Sequence, residues 1–315
     1  MPLDEFGLIQ RHFHWSSRGS GTLLGVGDDA AILRATPGHD WVICTDTLVE
    51  GRHFDSRLSP ADVGWKSLAV NLSDLAAMGA TPRGFTLALT LPTVDDEWLS
   101  EFRQGLREMA TAANVDLVGG DTTRGPLTIT ITAFGDVPTG QALRRAGARV
   151  GDQLWVTGPL GNAALALALN DAAPDALLAD LRRPQPRVAA GLALRDHAHA
   201  AIDLSDGLAA DLCHILDASQ VGATVIWADL PRSEPLTAAL AGRHDRAALE
   251  PQVLLHGGDD YELLLSLPAE LSPRALAPDI PWYCIGQVDA RPGLRLDRGR
   301  GRVDALATTG WNHFP

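Results

Sequence analysis

The sequence predicts a mixed α/β (α+β) protein of two domains, and three observations carry that expectation. The chain has 315 residues, more than one hydrophobic core usually serves, since single cores stop growing near ~250–300 residues. Strand-like and helix-like segments alternate in the first half and again in the second. Between the halves, Asp136-Val137-Pro138-Thr139-Gly140 breaks the pattern with turn formers. Domains over 1–138 and 139–315 are therefore expected.

Along the first half, Trp41-Val42-Ile43-Cys44-Thr45 predicts a strand ending at Asp46. Ser59-Pro60-Ala61-Asp62 predicts a helix start, with Ser as N-cap, Pro at the first helical position and Asp at the third, and the helix runs to about Gly79. Residues 85–91 form the next strand, and Asp95 to Asn114 carries Trp98, Phe102, Leu106 and Met109 at helical spacing. Strands over 115–118 and 127–134 close this half.

The second half predicts a strand at 152–157, helices at 162–170 and 186–197, and a strand at 200–204. A helix from Gly207 to about Ser219 follows, then strands at 223–227, 261–267 and 282–286. Neither a fixed-period repeat nor a low-complexity tract interrupts the series.

Composition excludes several classes. A net charge of −13 argues against a nucleic-acid or anionic-membrane surface, because both are bound through clustered Lys and Arg. Lys66 is the only lysine among 26 basic residues, and Val63-Gly64-Trp65-Lys66-Ser67 is no G-x-x-x-x-G-K-[ST] loop. Architectures that hold phosphate through an active-site lysine are thereby disfavoured unless Lys66 is placed for it. Cys44, Cys213 and Cys284 show neither disulfide-framework nor zinc spacing. With no leader pattern and no long apolar run, a cytoplasmic location is expected.

Chemistry concentrates in short aspartate-bearing segments. Asp28-Asp29 follows the turn Gly25-Val26-Gly27, and Asp46 stands between Thr45 and Thr47. Asn71 and Asp74 share a helix face with Ser67. Gly119-Gly120-Asp121-Thr122-Thr123-Arg124 joins permissive backbone to an acid, two hydroxyls and a guanidinium. Asp203-Leu204-Ser205-Asp206-Gly207 leads from an apolar strand into a helix, whose N-terminal amides would lie beside two acids. Buried carboxylates are costly unless paired, so convergence of these acids implies hard divalent cations such as Mg²⁺ or Ca²⁺. Each segment has a plainer reading: Asp46 as a turn cap, Asp74 as part of a solvated face, the double glycine as a hairpin loop, Asp206 as a helix N-cap. Gly257-Gly258-Asp259-Asp260-Tyr261-Glu262 adds another glycine-acid turn, and His53 and Trp311 are candidate substrate contacts.

Taken in order, these segments resemble the thiamine-monophosphate kinase family, within the wider group of ATP-using enzymes related to aminoimidazole ribonucleotide synthetase. The specific pieces are Thr45-Asp46-Thr47-Leu48-Val49 with His53-Phe54, Val70 through Gly79, Gly119 through Pro126, Ile202 through Leu208 and Gly257 through Leu263. The resemblance implies phosphorylation of thiamine monophosphate by ATP, with several Mg²⁺ ions and an ATP site between the domains. It also implies a homodimer whose N-terminal sheets pair into a β-barrel, and it leaves a K⁺ requirement open.

Carried over by position, Asp29, Thr45, Asp46, Asp74, Asp121, Asp203 and Asp206 would bind metal. Cys44 joins this set where relatives often have Ser; a soft thiol is a poor Mg²⁺ ligand, so its backbone oxygen is the expected donor. Gly120, Asp121, Arg145 and Ser205 would contact ATP, and His53, Asp259 and Trp311 the substrate. Asp259 stands where Glu is frequent, one methylene shorter. No general base is expected, because the attacking phosphate monoester is already ionised.

Two alternatives compete. One is another ATP-dependent synthetase of the same group; against it, the first cysteine is Cys44 rather than one near the N-terminus, and the chain ends His313-Phe314-Pro315 without a functional cysteine. The other is a non-catalytic nucleotide- or divalent-ion-binding regulator, against which the surplus of acids argues.

Overall fold

The computed structural model describes residues 5–15, 21–55, 57–307 and 309–310, without the side chains of residues 5 and 6. It divides into two compact units, Met1–Leu75 with Ala80–Gly140, and Ala76–Gly79 with Gln141–Pro315.

The first unit contains α1 (Glu5–His12), β1 (Thr22–Leu24), β2 (Ile32–Leu33), β3 (His39–Val49) and α2 (Pro60–Ala77). It continues with β4 (Thr81–Leu91), α3 (Asp96–Ala112), β5 (Asp116–Arg124) and β6 (Thr128–Pro138). Four strands make an open sheet in the order β3-β6-β4-β5. Only β4 and β5 run parallel, as the α3 crossover between them requires.

The start of α2 follows from its own sequence. Asp62 N–H donates to Ser59 Oγ at 3.2 Å, and Ser59 N–H returns a bond to Asp62 Oδ2 at 3.3 Å, a reciprocal capping box. Leu68, Ala69, Leu72 and Leu75 are fully buried along this helix. Its crossing with α3 is close enough that a β-carbon at Gly105 would lie 1.7 Å from the Ala61 carbonyl oxygen.

Two sequence expectations change here. The strand does not end at Asp46 but continues to Val49, in unbroken register with β6 from His39↔Pro138 to Val49↔Thr128. Gly119 to Arg124 is not a hairpin loop: it forms the second part of β5, pairing with Thr86 to Leu91.

The second unit contains β7 (Gln153–Val156), α4 (Asn162–Leu169), α5 (Asp175–Arg182), α6 (Val188–Leu194) and β8 (Ala200–Asp203). Next come α7 (Leu208–Ser219), β9 (Gly222–Ile226), α8 (Glu234–Leu240), α9 (Arg246–Leu255) and β10 (Leu263–Leu267). The last elements are α10 (Pro273–Leu276), β11 (Tyr283–Asp289), β12 (Gly293–Asp297) and β13 (Val303–Ala305). Seven strands lie in the order β13-β12-β9-β11-β7-β10-β8. All five residues of β10 are buried, as its nearly continuous leucine run demands of a strand covered on both faces.

Leu263, Leu265 and Leu267 pack with Trp155, Leu194 and Trp282. β10 begins two residues later than the sequence suggested, because Tyr261 is held at φ +50°, outside the extended region. Among the described residues no helix is long and apolar enough to cross a membrane.

Candidate functional site

In the first unit, strand alternation sorts the candidates. Cys44 and Asp46 face α2, where Asn71 ties strand to helix: its Oδ1 accepts the Asp46 N–H at 3.1 Å, and its Nδ2 donates to Ser67 O at 3.0 Å. Asn71 and Ser67 are both buried, so the polar stripe read from the sequence is an internal clasp. The Cys44 thiol donates to Asn71 O at 3.3 Å. Burial pushes that thiol far up, and the neighbouring Asp74 and Asp46 charges push it further, which places both carboxylates beside Cys44.

Thr45 and Thr47 face the other way. Their hydroxyls pair with Thr132 and Thr130 on β6, each at 2.9 Å, on the sheet face where Trp41 and Ile43 are 40% and 61% exposed. Asp121 is exposed on β5 opposite Ala88. A β-carbon at its neighbour Gly120, held at φ +156°, would lie 1.9 Å from the Leu87 carbonyl oxygen, so glycine is required there. Asp29 lies in an exposed turn, its N–H bonded to Asp28 Oδ1 at 2.9 Å. His53 accepts the Val49 N–H on Nδ1 at 3.0 Å, which leaves Nε2 to carry the ring hydrogen.

In the second unit, backbone bonds bring two candidate segments together. Ser205 O accepts the Asp259 N–H at 2.9 Å, and Leu204 O accepts the Tyr261 N–H at 2.8 Å. Asp259 is at φ +69° and Tyr261 at φ +50°, two left-handed non-glycine residues within three, a degree of strain that clusters at functional sites. The Tyr261 hydroxyl donates to Asp259 Oδ1 at 2.9 Å. A β-carbon at Gly258 would lie 2.2 Å from Ser205 O, so only glycine permits this approach.

Asp203 is buried at the end of edge strand β8, and Ser205 and Asp206 are half-buried before α7. Gly207, not Asp206, is the N-cap of α7, which removes the capping explanation for Asp206. The amides at this helix start are not open to a ligand, because Asp211 Oδ2 accepts all three from Ser205 to Gly207. Burial pushes the Asp211 carboxyl up to about 7, opposed by the Asp206 and Gly207 amides and assisted by the charges of Asp206 and Asp203.

Sequence reading missed Asp211. The available signal was an acid in the first turn of a helix that follows an acid-rich loop. Arg145 is exposed, and its carbonyl accepts the Ser219 hydroxyl at 3.3 Å. Trp311 lies outside the described residues; the preceding Gly310 comes so close to Asp206 that a β-carbon there would lie 2.6 Å from the Asp206 carbonyl oxygen.

Among the described residues no group of three or more His, Cys, Asp and Glu side chains could by itself hold a metal ion.

Comparison with known proteins identifies the chain. Residues 27–137 match the family described as AIR synthase related protein, N-terminal domain, and residues 149–298 match AIR synthase related protein, C-terminal domain. The thiamine-monophosphate kinase of Escherichia coli (strain K12) is 45% identical, with 100% of this chain and 99% of that protein covered. The crystal structure of thiamine-monophosphate kinase from Stenotrophomonas maltophilia K279a superposes with a TM-score of 0.85 at 44% identity, covering 94% of this chain and 98% of that one. A structure of AaThiL complexed with AMPPCP and TMP gives a TM-score of 0.77 at 29% identity, covering 98% and 97%. With identity of this order along its whole length, the chain belongs to the thiamine-monophosphate kinase family.

Proposed function

We propose that this chain transfers the γ-phosphoryl group of ATP to the phosphate of thiamine monophosphate, giving thiamine diphosphate and ADP in thiamine diphosphate biosynthesis. The observation that carries the reading is the full-length identity with thiamine-monophosphate kinases, together with a relative of the same fold complexed with AMPPCP and TMP. A phosphate oxygen of the substrate forms the new P–O bond as the bond from the γ-phosphorus to ADP breaks. That oxygen is already ionised near neutral pH, since the second pKa of a phosphate monoester is about 6, so no residue need remove a proton.

What the protein must supply is alignment and compensation of charge. Asp29, Asp46, Asp74 and Asp121 in the first unit, and Asp203 and Asp206 in the second, are the residues that would hold Mg²⁺. Bound Mg²⁺ would neutralise the polyphosphate charge and stabilise the charge that spreads during transfer. The donor chemistry fits, because Asp46 and Asp74 offer hard oxygens on one side of the sheet and the backbone around Asp46 is fixed by Asn71. The Cys44 thiol is left out of this set: its raised pKa keeps it protonated at neutral pH. Thr45 turns its hydroxyl to the opposite face, so it would join the acids only through its backbone.

Gly120, Asp121, Arg145 and Ser205 are the proposed ATP contacts. His53, Asp259 and Trp311 are the proposed substrate contacts, with the His53 imidazole as a donor to a phosphate oxygen. The domain roles follow the same reading, the first unit serving ATP, Mg²⁺ and dimer formation. Support for a homodimer comes from the exposed Trp41 and Ile43 on one face of edge strand β3, since an open edge beside an apolar surface invites pairing. Two such sheets could close into a barrel. Three free cysteines favour a reducing, cytoplasmic compartment.

The test is ADP formation from MgATP with the purified chain. Thiamine monophosphate should start it and thiamine should not; equal ATP consumption without the substrate, or none with it, overturns the reading.

A further inference from the structure

We infer that Asp211 is a positioning residue that sets the Ser205–Gly207 turn for nucleotide and metal. Three consecutive N–H groups, of Ser205, Asp206 and Gly207, converge on its Oδ2 at 3.0, 3.1 and 3.1 Å. Asp211 is 3% exposed, four positions past the N-cap of α7, so its side chain reaches back over the helix start. Such a run of amides is a ready concavity for an anion, and here the chain fills it with its own carboxylate.

Two consequences follow for the turn. Its amides are already engaged, so nucleotide phosphate is met by the Ser205 hydroxyl and by whatever cations Asp203 and Asp206 hold, rather than by the helix N-terminus. Its carbonyl side is clasped independently by Asp259 N–H on Ser205 O, so the turn is pinned from both sides. Gly207, at φ +115°, completes the arrangement, since a β-carbon there would lie 2.8 Å from the His256 carbonyl carbon. Removing Asp211 leaves three amides without their acceptor and releases one of the two clamps.

The inference rests on the proposed nucleotide role of Ser205 and Asp206, and its test separates the two. Binding of a non-hydrolysable ATP analogue is measured by calorimetry on the full chain across a Mg²⁺ titration, with amide hydrogen exchange over residues 204–208. Asp211→Ala should weaken Mg²⁺-dependent analogue binding about 10- to 100-fold, the range for residues that orient ligating groups, and speed exchange in that segment. Asp211→Asn, which keeps an acceptor oxygen, should restore binding to within about threefold of wild type.

Asp289→Ala is the control for general destabilisation, because it breaks the Asp289–Arg295 ion pair elsewhere in the same unit; it should leave binding unchanged. Wild-type affinity in Asp211→Ala, or equal weakening in Asp289→Ala, overturns the inference. No analogue binding by the wild type overturns it together with the nucleotide reading. Analogue binding without substrate-dependent ADP formation overturns the proposed reaction alone.

Discussion

Asp260 Oδ1 accepts the Gly161 N–H at 2.8 Å, while its Oδ2 is buried with no hydrogen-bond partner among the described residues. Burial raises this carboxyl well above the usual range; the Gly161 amide opposes the shift, and the charges of Glu262, Asp259 and Asp180 add to it. Between the ordinary Asp value near ~3.9 and its own raised value, the folded state binds the extra proton. Stability therefore falls as pH rises through that window.

Asp260→Asn, which imitates the protonated acid without titrating, should remove the slope. The expected gain is near zero at pH 4 and grows toward pH 8, by about 1.4 kcal/mol for each pH unit within the window. Thermal unfolding of both proteins across that range checks it, and a gain that is constant with pH would contradict it.

Asp46 and Asp74 flank the same thiol. If their partners are cations from solution, Asp46→Asn and Asp74→Asn should each lower substrate-dependent ADP formation by about 100-fold or more, the scale of losing one electrostatic stabiliser of the transition state. Circular dichroism should show the fold intact. Full activity in both variants would remove these two acids from the site.

Asp136 is buried at the end of β6, receiving Thr36 Oγ at 2.6 Å and pairing with Arg83 at 2.9 Å. Burial works to raise its pKa, but Arg83 and Thr36 together hold it below the usual carboxylate range. A depressed folded pKa gives stability that is present above the unfolded value and is lost as pH falls through the folded one. Asp136→Asn should thus cost about 1–3 kcal/mol at pH 7 and progressively less below about pH 4. Urea unfolding at the two pH values distinguishes this from a loss independent of pH.

Ile43 is 61% exposed on the edge strand of the four-stranded sheet. If that face pairs two copies of the chain, Ile43→Asp should raise the dimer dissociation constant by at least about tenfold, as expected for losing a buried aliphatic anchor. Sedimentation equilibrium measures it. A wild type that is monomeric throughout would dismiss the pairing.

Local rules in the sequence were sufficient where the structure is made locally. The capping box of Ser59 and Asp62 and the spacing of Trp98, Phe102, Leu106 and Met109 produce α2 and α3 as read. The sequence misled where tertiary pairing overrides local preference. Gly119 to Arg124 carries turn-forming residues, yet it is strand because β4 offers a parallel partner for its whole length.

Likewise, polar Asp46 and Thr47 remain in β3 because each face of that strand meets a different polar neighbour. Helices α8 and α9 went unread, their segments containing Pro235 and Pro251. In the candidate site, the pairing of Asp46 with Asn71 and the nearness of Asp74 follow from strand alternation and helix spacing. The clasp of Ser205 by Asp259 and the grip of Asp211 on three amides do not, because both depend on backbone conformations that no residue pattern announces.

The sole lysine, Lys66, lies within α2 at 1% exposure, one helical turn ahead of the Asn71 clasp. Its ε-amine can meet an acylating reagent only when that helix opens. Acylation localised to the peptide that carries Lys66 would then time the opening of this helix in the intact chain. Slowing of that clock by nucleotide and Mg²⁺ would report occupancy of the acidic site without any measurement of turnover.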